Sequence, residues 1–120
     1  MGYLALSRLA AFELEDIERY SIENWGKAVA ERYMGAIEEA LGRVKENPDL
    51  LRTSPEIFEH LKMYRVGNHF LVCALVGENV YVLTVKHGVM DLPERVRELE
   101  PTLRQEAEIL HRAFLRSLGS

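Results

Sequence analysis

Residues 61–87, LKMYRVGNHFLVCALVGENVYVLTVKH, decide the fold. Apolar side chains alternate with polar ones or run together, and the content is β-branched and aromatic, as strands require. The pattern predicts strands over Leu61–Val66, His69–Val76 and Val80–Lys86. Gly67-Asn68 and Gly77-Glu78-Asn79 supply the turns between them. Connections this short force antiparallel pairing. The apolar run Phe70–Val76 suits a central strand, and it is far shorter than the about 20 residues a membrane span needs. Cys73, the only cysteine, sits in the middle of that run and reads as a small buried hydrophobe.

Upstream of the strands the period changes to that of a helix. Ser7 offers an N-cap oxygen, and Ala10, Leu14, Ile17 and Ser21 follow at helical spacing until Gly26. Ala30, Tyr33, Ile37, Leu41 and Val44 repeat the pattern up to Asn47-Pro48. Helices over 8–24 and 27–46 joined around Trp25-Gly26 form an antiparallel hairpin, with Leu14, Ile17, Tyr33, Ile37 and Leu41 turned inward. Gly2–Leu6 is short enough to be an edge strand, and Ser54-Pro55-Glu56 suggests one helical turn before the strands. The fold class is therefore α+β: an N-terminal antiparallel helix hairpin packed on a small antiparallel β-sheet, with an extra C-terminal helix.

That last helix is predicted over 102–117, with Leu103, Ala107, Leu110 and Phe114 as its stripe and Leu118 continuing it. Pro93 and Pro101 stand where helices start. A helix of this length alone is marginal in water, so it must dock. Its own sheet and a second copy of the chain are both suitable surfaces, the latter giving a homodimer. The division is thus a domain over 1–92 and a helical extension over 93–120.

Composition narrows the function. The chain has 120 residues, enough for one domain, with 15 basic and 19 acidic side chains and a net charge of −4. Nucleic-acid binding mainly through phosphates is disfavoured, because that affinity comes from clustered Lys and Arg, and no direct sequence-specific binding is expected. The N-terminus lacks the basic flank and cleavage pattern of a signal peptide, so the expected location is the cytoplasm, with no membrane partner. A lone cysteine cannot form a disulfide within the chain, and no His pair has zinc-site spacing; neither a metal nor a cofactor is expected. Gly67, Gly77 and Gly88 are isolated turn glycines rather than a phosphate loop. The chemistry-bearing residues gather at the strand ends: Arg65 before the first turn, His69 after it, and Lys86, His87 and Asp91 at the close of the third strand. A His beside a cation suits acid–base work on a phosphodiester. A His87–Asp91 hydrogen bond that fixes the last turn is the plainer reading.

In their order and spacing these pieces resemble the RelE/ParE superfamily of type II toxin–antitoxin toxins, the ParE branch in particular. The matching segments are Leu14-Glu15-Asp16-Ile17-Glu18-Arg19-Tyr20 with Trp25-Gly26, Ala30-Glu31-Arg32-Tyr33 with Asn47-Pro48, Tyr64-Arg65-Val66-Gly67-Asn68-His69, and Val82–Asp91. The resemblance implies a toxin neutralised by a cognate ParD-like antitoxin, with DNA gyrase as target, blocked by binding and not by catalysis. It also implies a role in plasmid stabilisation. The RelE branch implies instead a ribosome-dependent mRNA endonuclease, and loss of toxicity would leave an interaction module of the same fold. Few Lys and Arg lie in the sheet region and the chain is acidic overall, which favours the gyrase-binding reading with no catalytic residues. The resemblance places target binding at Arg65, His69, Lys86, His87 and Asp91, and antitoxin binding at Leu14, Ile17, Tyr20 and Trp25. Two features depart from the pattern: Met90 stands where an arginine is common, and the tail after residue 92 is longer. That tail is expected to compete with, or add to, the antitoxin's docking surface.

Overall fold

A computed structural model describes residues 2–54, 58, 60–88 and 92–119. The elements run β1 (Leu4–Leu6), α1 (Arg8–Trp25), α2 (Lys27–Glu46), a 3-10 turn (Pro48–Leu50), β2 (Lys62–Val66), β3 (His69–Val76), β4 (Asn79–His87) and α3 (Leu92–Gly119). The helix hairpin and the three strands of residues 61–87 fall where periodicity placed them. The helical turn suggested around Pro55-Glu56 lies outside the described residues.

The sheet order is β1-β4-β3-β2. β2, β3 and β4 pair antiparallel, as their short turns require. β1, however, lies parallel to β4, with Leu4 opposite Val80 and Leu6 opposite Val82. The sheet is therefore mixed and not wholly antiparallel. The reason is connectivity: the whole hairpin and two strands separate β1 from β4, so no tight turn dictates their direction.

Ser7 joins the layers at this edge. Its hydroxyl donates to the Leu83 carbonyl at 2.6 Å and accepts from the Ala10 amide at 2.9 Å. One buried oxygen thus caps α1 and satisfies β4 where β1 ends. From Thr84 onward Glu13 of α1 takes over. Its carboxylate accepts from the Thr84 hydroxyl at 2.6 Å, the Val85 amide at 3.0 Å and the Lys86 ammonium at 2.7 Å. A side chain thus occupies a strand edge that would otherwise present unpaired backbone.

Each face of the sheet has its own core. On one, Ala10, Ile37, Ala40 and Val44 of the hairpin pack on Leu71, Cys73, Val80 and Val82, with Leu14, Ile17, Tyr33 and Leu41 partly buried around them. Cys73 is fully buried, which pushes its thiol up to about 12 and makes it a poor nucleophile. On the other face Leu92, Val96 and Leu103 of α3 pack on Leu61, Val72, Ala74, Tyr81 and Leu83. A register irregularity between Val72 and Cys73 sets Thr84 and Val82 opposite consecutive residues of β3. It breaks the alternation, so Leu83 faces α3 while Val85 joins the hairpin core.

The tail therefore docks on its own sheet, making three layers. It is a single helix of 28 residues, and Pro101 lies inside it instead of starting a new one. Proline inside a helix costs about 3 kcal/mol. Burial of Val96 and Leu103 on either side, each worth about 1.5–3 kcal/mol, holds the helix through that point. Further along, Ala107 and Leu110 are partly buried, Phe114 meets the Tyr3 ring at 5.0 Å, and Leu118 is exposed.

Candidate functional site

Where the connected end of the hairpin meets the β2–β3 turn and the end of β4, the surface holds a groove of about 640 Å³. Ile17, Tyr20 and Trp25 come from α1, Val29 and Tyr33 from α2, Asn68 from the turn, His69 from the start of β3, and His87 from the end of β4. Residues 17, 20 and 21 share one helical face, and Val29 and Tyr33 lie one turn apart, so two amphipathic helices place aromatics on one wall.

Tyr33 ties the groove to the turn. Its hydroxyl is 3.2 Å from the Val66 carbonyl, accepts from the Asn68 amide at 3.3 Å and lies 2.5 Å from His69 Nδ1. A hydroxyl has one proton and two lone pairs. All three contacts are satisfied together when it donates to Val66 and accepts from both Asn68 and His69 Nδ1–H. In that arrangement the His69 proton sits on Nδ1 and the lone pair on Nε2. Gly67 makes the approach feasible: it has φ +57°, and a Cβ there would lie 2.7 Å from the Tyr33 ring.

His69 and His87 stand edge to face with ring centres 5.3 Å apart. Burial, and secondarily the neighbouring His87, lower the His69 pKa from its ordinary 6.5; burial raises that of Tyr33. Both groups are thus held neutral near pH 7. The unfolded chain takes up the His69 proton first as pH falls. The neutral ring therefore contributes stability above pH 6.5 that is lost as pH drops through its folded-state value. Urea midpoints measured between about pH 7.5 and 5 should fall more steeply in the native chain than in His69→Phe; equal slopes would contradict this placement.

The histidine pair comes together as its strand-end position suggested, but the cations do not join it. Arg65 Nε donates to the Gly67 carbonyl at 2.9 Å, and its guanidinium lies over Phe70 at 5.8 Å, beside a separate hollow near Leu50 and Arg52. Lys86 is held by Glu13. Asp91, and with it any bond to His87, lies outside the described residues. Of the four hairpin residues read as partner-binding, Leu14 and Ile17 are partly buried against the core, and Ile17 also lines the groove. Tyr20 and Trp25 are 57 % and 58 % exposed, and their rings meet edge to face at 5.5 Å. Sequence reasoning assigned Tyr33 only to the core and passed over Asp16, Val29 and Asn68. Only the fold shows that the second helix returns its Tyr to the β2–β3 turn.

Residues 4–92 match the family described as ParE toxin of type II toxin-antitoxin system, parDE. This chain belongs to the ParE toxin family. Among curated relatives, Toxin ParE of Escherichia coli is 30% identical over 94 residues, covering 78% of this chain and 91% of that protein. Toxin ParE1 of Mycobacterium tuberculosis H37Rv is 32% identical over 88 residues, covering 72% and 90%. A solved chain from the chromosomal ParDE TA system of P. aeruginosa superposes with a TM-score of 0.64 at 16% identity, covering 72% of this chain and 96% of that one. At that identity the superposition speaks for the fold. The ParE family match ends at Leu92, the first residue of α3, so the helix that covers the second sheet face lies beyond it. No described helix of this ParE chain is long and apolar enough to cross a membrane.

Proposed function

We propose that this ParE-family chain is a cytoplasmic toxin that inhibits DNA gyrase by binding it and is neutralised by a cognate antitoxin, in a module that stabilises the plasmid or replicon carrying it. Family membership supports the toxin reading. The observation that carries the choice of a binding mechanism is the state of the strand-end cations. Arg65 donates to its own turn and Lys86 pairs with Glu13, and among the described residues no Lys or Arg lines the groove. An endonuclease needs cations poised on the scissile phosphate. The exposed Tyr20–Trp25 pair, with Ile17 beneath it, is the surface we assign to the antitoxin; aromatics of this kind dominate protein interfaces. His69 and His87 at the groove floor, with Arg65, Lys86 and Asp91 at the strand ends, are assigned to the target. A dimer through α3 would use its exposed apolar residues, Ile109, Leu115 and Leu118, since Leu103 and Val96 are taken by the sheet.

Induced expression without antitoxin tests the proposal. Filamentation with a DNA-damage response is the expected phenotype, relieved by co-expression of the antitoxin. Rapid arrest of translation with cleaved mRNA would instead support an endonuclease, with neutral His69 beside Tyr33 as its base. Unimpaired growth would mean that the chain is not toxic.

A further inference from the structure

The groove has a chemistry of its own. The rings of Tyr20, Trp25 and Tyr33 line it together with His69 and Asp16, and with its Nδ1 proton given to Tyr33, His69 has Nε2 as its acceptor. Asp16 gives one carboxylate oxygen, Oδ1, to Arg19 at 2.7 Å, leaving the other for a ligand. Among the described residues no Lys or Arg lines the space. The helix that forms one wall carries Glu13, Glu15, Asp16, Glu18 and Glu23 against only Arg8 and Arg19.

Each class of occupant meets this differently. An aliphatic side chain would cover the Nε2 lone pair and the free carboxylate oxygen without pairing either, which costs free energy. A carboxylate or phosphate would face Asp16 and an acceptor nitrogen. A cation meets neither objection. Ring faces attract it, tryptophan most strongly. A guanidinium can also stack flat on a ring while its edge donates to Nε2 and to Asp16; an ammonium, compact and more strongly hydrated, lacks that planar fork and costs more to desolvate. We propose that the groove is a socket for an arginine side chain of a protein partner, seated against Trp25 and donating to His69 Nε2 and Asp16. The proposal rests on the groove's geometry and holds whichever target the toxin has.

Trp25 is the only tryptophan, so its fluorescence reports on the socket directly. The probes are N-acetyl-arginine amide and its lysine, leucine and glutamate counterparts, titrated into the full chain near pH 7.5 with aromatic NMR signals followed in parallel. The arginine probe should give saturable changes confined to Tyr20, Trp25, Tyr33, His69 and His87. It should bind about fivefold more tightly than the leucine probe, the scale of one exposed cation–π contact. Trp25→Ala and His69→Phe should each weaken it by about the same factor, with amide spectra confirming that both variants are folded. His69→Phe keeps an aromatic surface, so its loss isolates the acceptor nitrogen from packing. A leucine probe that binds as well as arginine would overturn the proposal in favour of a plain apolar socket. A preferred glutamate probe would show an anion site, and the absence of any saturable change would dismiss the socket altogether. Each of these results is independent of toxicity and of gyrase.

Discussion

Deleting residues 93–120 should leave a chain that fails to stay soluble. The loss strips α3 from a sheet face on which Val72, Tyr81 and Leu83 are fully buried. Val96 and Leu103 each contribute about 1.5–3 kcal/mol of burial, and their removal also exposes the residues beneath them. The sum is comparable to the about 5–15 kcal/mol that holds a whole domain together. A polar loss is added: the buried Tyr81 hydroxyl accepts from the Asn79 side-chain amide at 3.2 Å and lies 2.8 Å from His111 Nδ1 of α3. Leu103→Ala is the milder version and should cost about 2–5 kcal/mol. Size-exclusion chromatography of the deletion and urea unfolding of the point variant measure the two effects. A truncated chain that keeps the native oligomeric state and solubility, with unchanged unfolding, would show that α3 is a passive extension.

Glu13→Ala should be the most damaging single change at a polar residue. It orphans the Thr84 hydroxyl, the Val85 amide and the Lys86 ammonium together. Breaking a largely buried ion pair from one side costs about 3–5 kcal/mol, because the remaining charge is left without compensation. Glu13 and Lys86 are 14% and 25% exposed, so water recovers part of that, and a loss near 3 kcal/mol is expected. Glu13→Gln keeps the acceptor for the Val85 amide and should lose less. Urea midpoints for both variants, with amide exchange at Val85 as the local probe, decide the matter. Equal stability of Glu13→Ala and the native chain would contradict the edge clasp.

Much of this architecture was legible because periodicity reports burial. Ala30, Ile37, Ala40 and Val44 are spaced by seven, three and four residues, all on one helical face, and they are the residues that α2 buries. The β2–β3–β4 meander followed from Gly67 and Gly77, both at positive φ in the turns where they were expected. What escaped depends on long-range placement. Nothing local tells a three-residue strand which way to pair, so the parallel β1 had to come from the structure. Pro101 is a strong local signal against a continuous helix, and burial of Val96 and Leu103 overrode it. The stripe read from Leu103 onward also missed Leu92 and Val96, the first residues of α3 to dock. At the groove, sequence order brought His69 and His87 to one sheet edge, and paired strands set them directly opposite each other. It also suggested that Arg65 and Lys86 would join them. Side chains one residue away point to the other face, and here both cations found nearer partners. Tyr33 looked like one more core residue because its apolar ring is one; only its hydroxyl belongs to the site.

Binding of gyrase is the mode of action we propose for this ParE-family toxin. The most direct measurement is DNA supercoiling by purified gyrase with increasing amounts of the purified toxin. Inhibition that rises with toxin concentration, is reversed by the cognate antitoxin and leaves RNA intact is the predicted result. Undiminished supercoiling at saturating toxin, together with cleavage of mRNA on ribosomes, would contradict it.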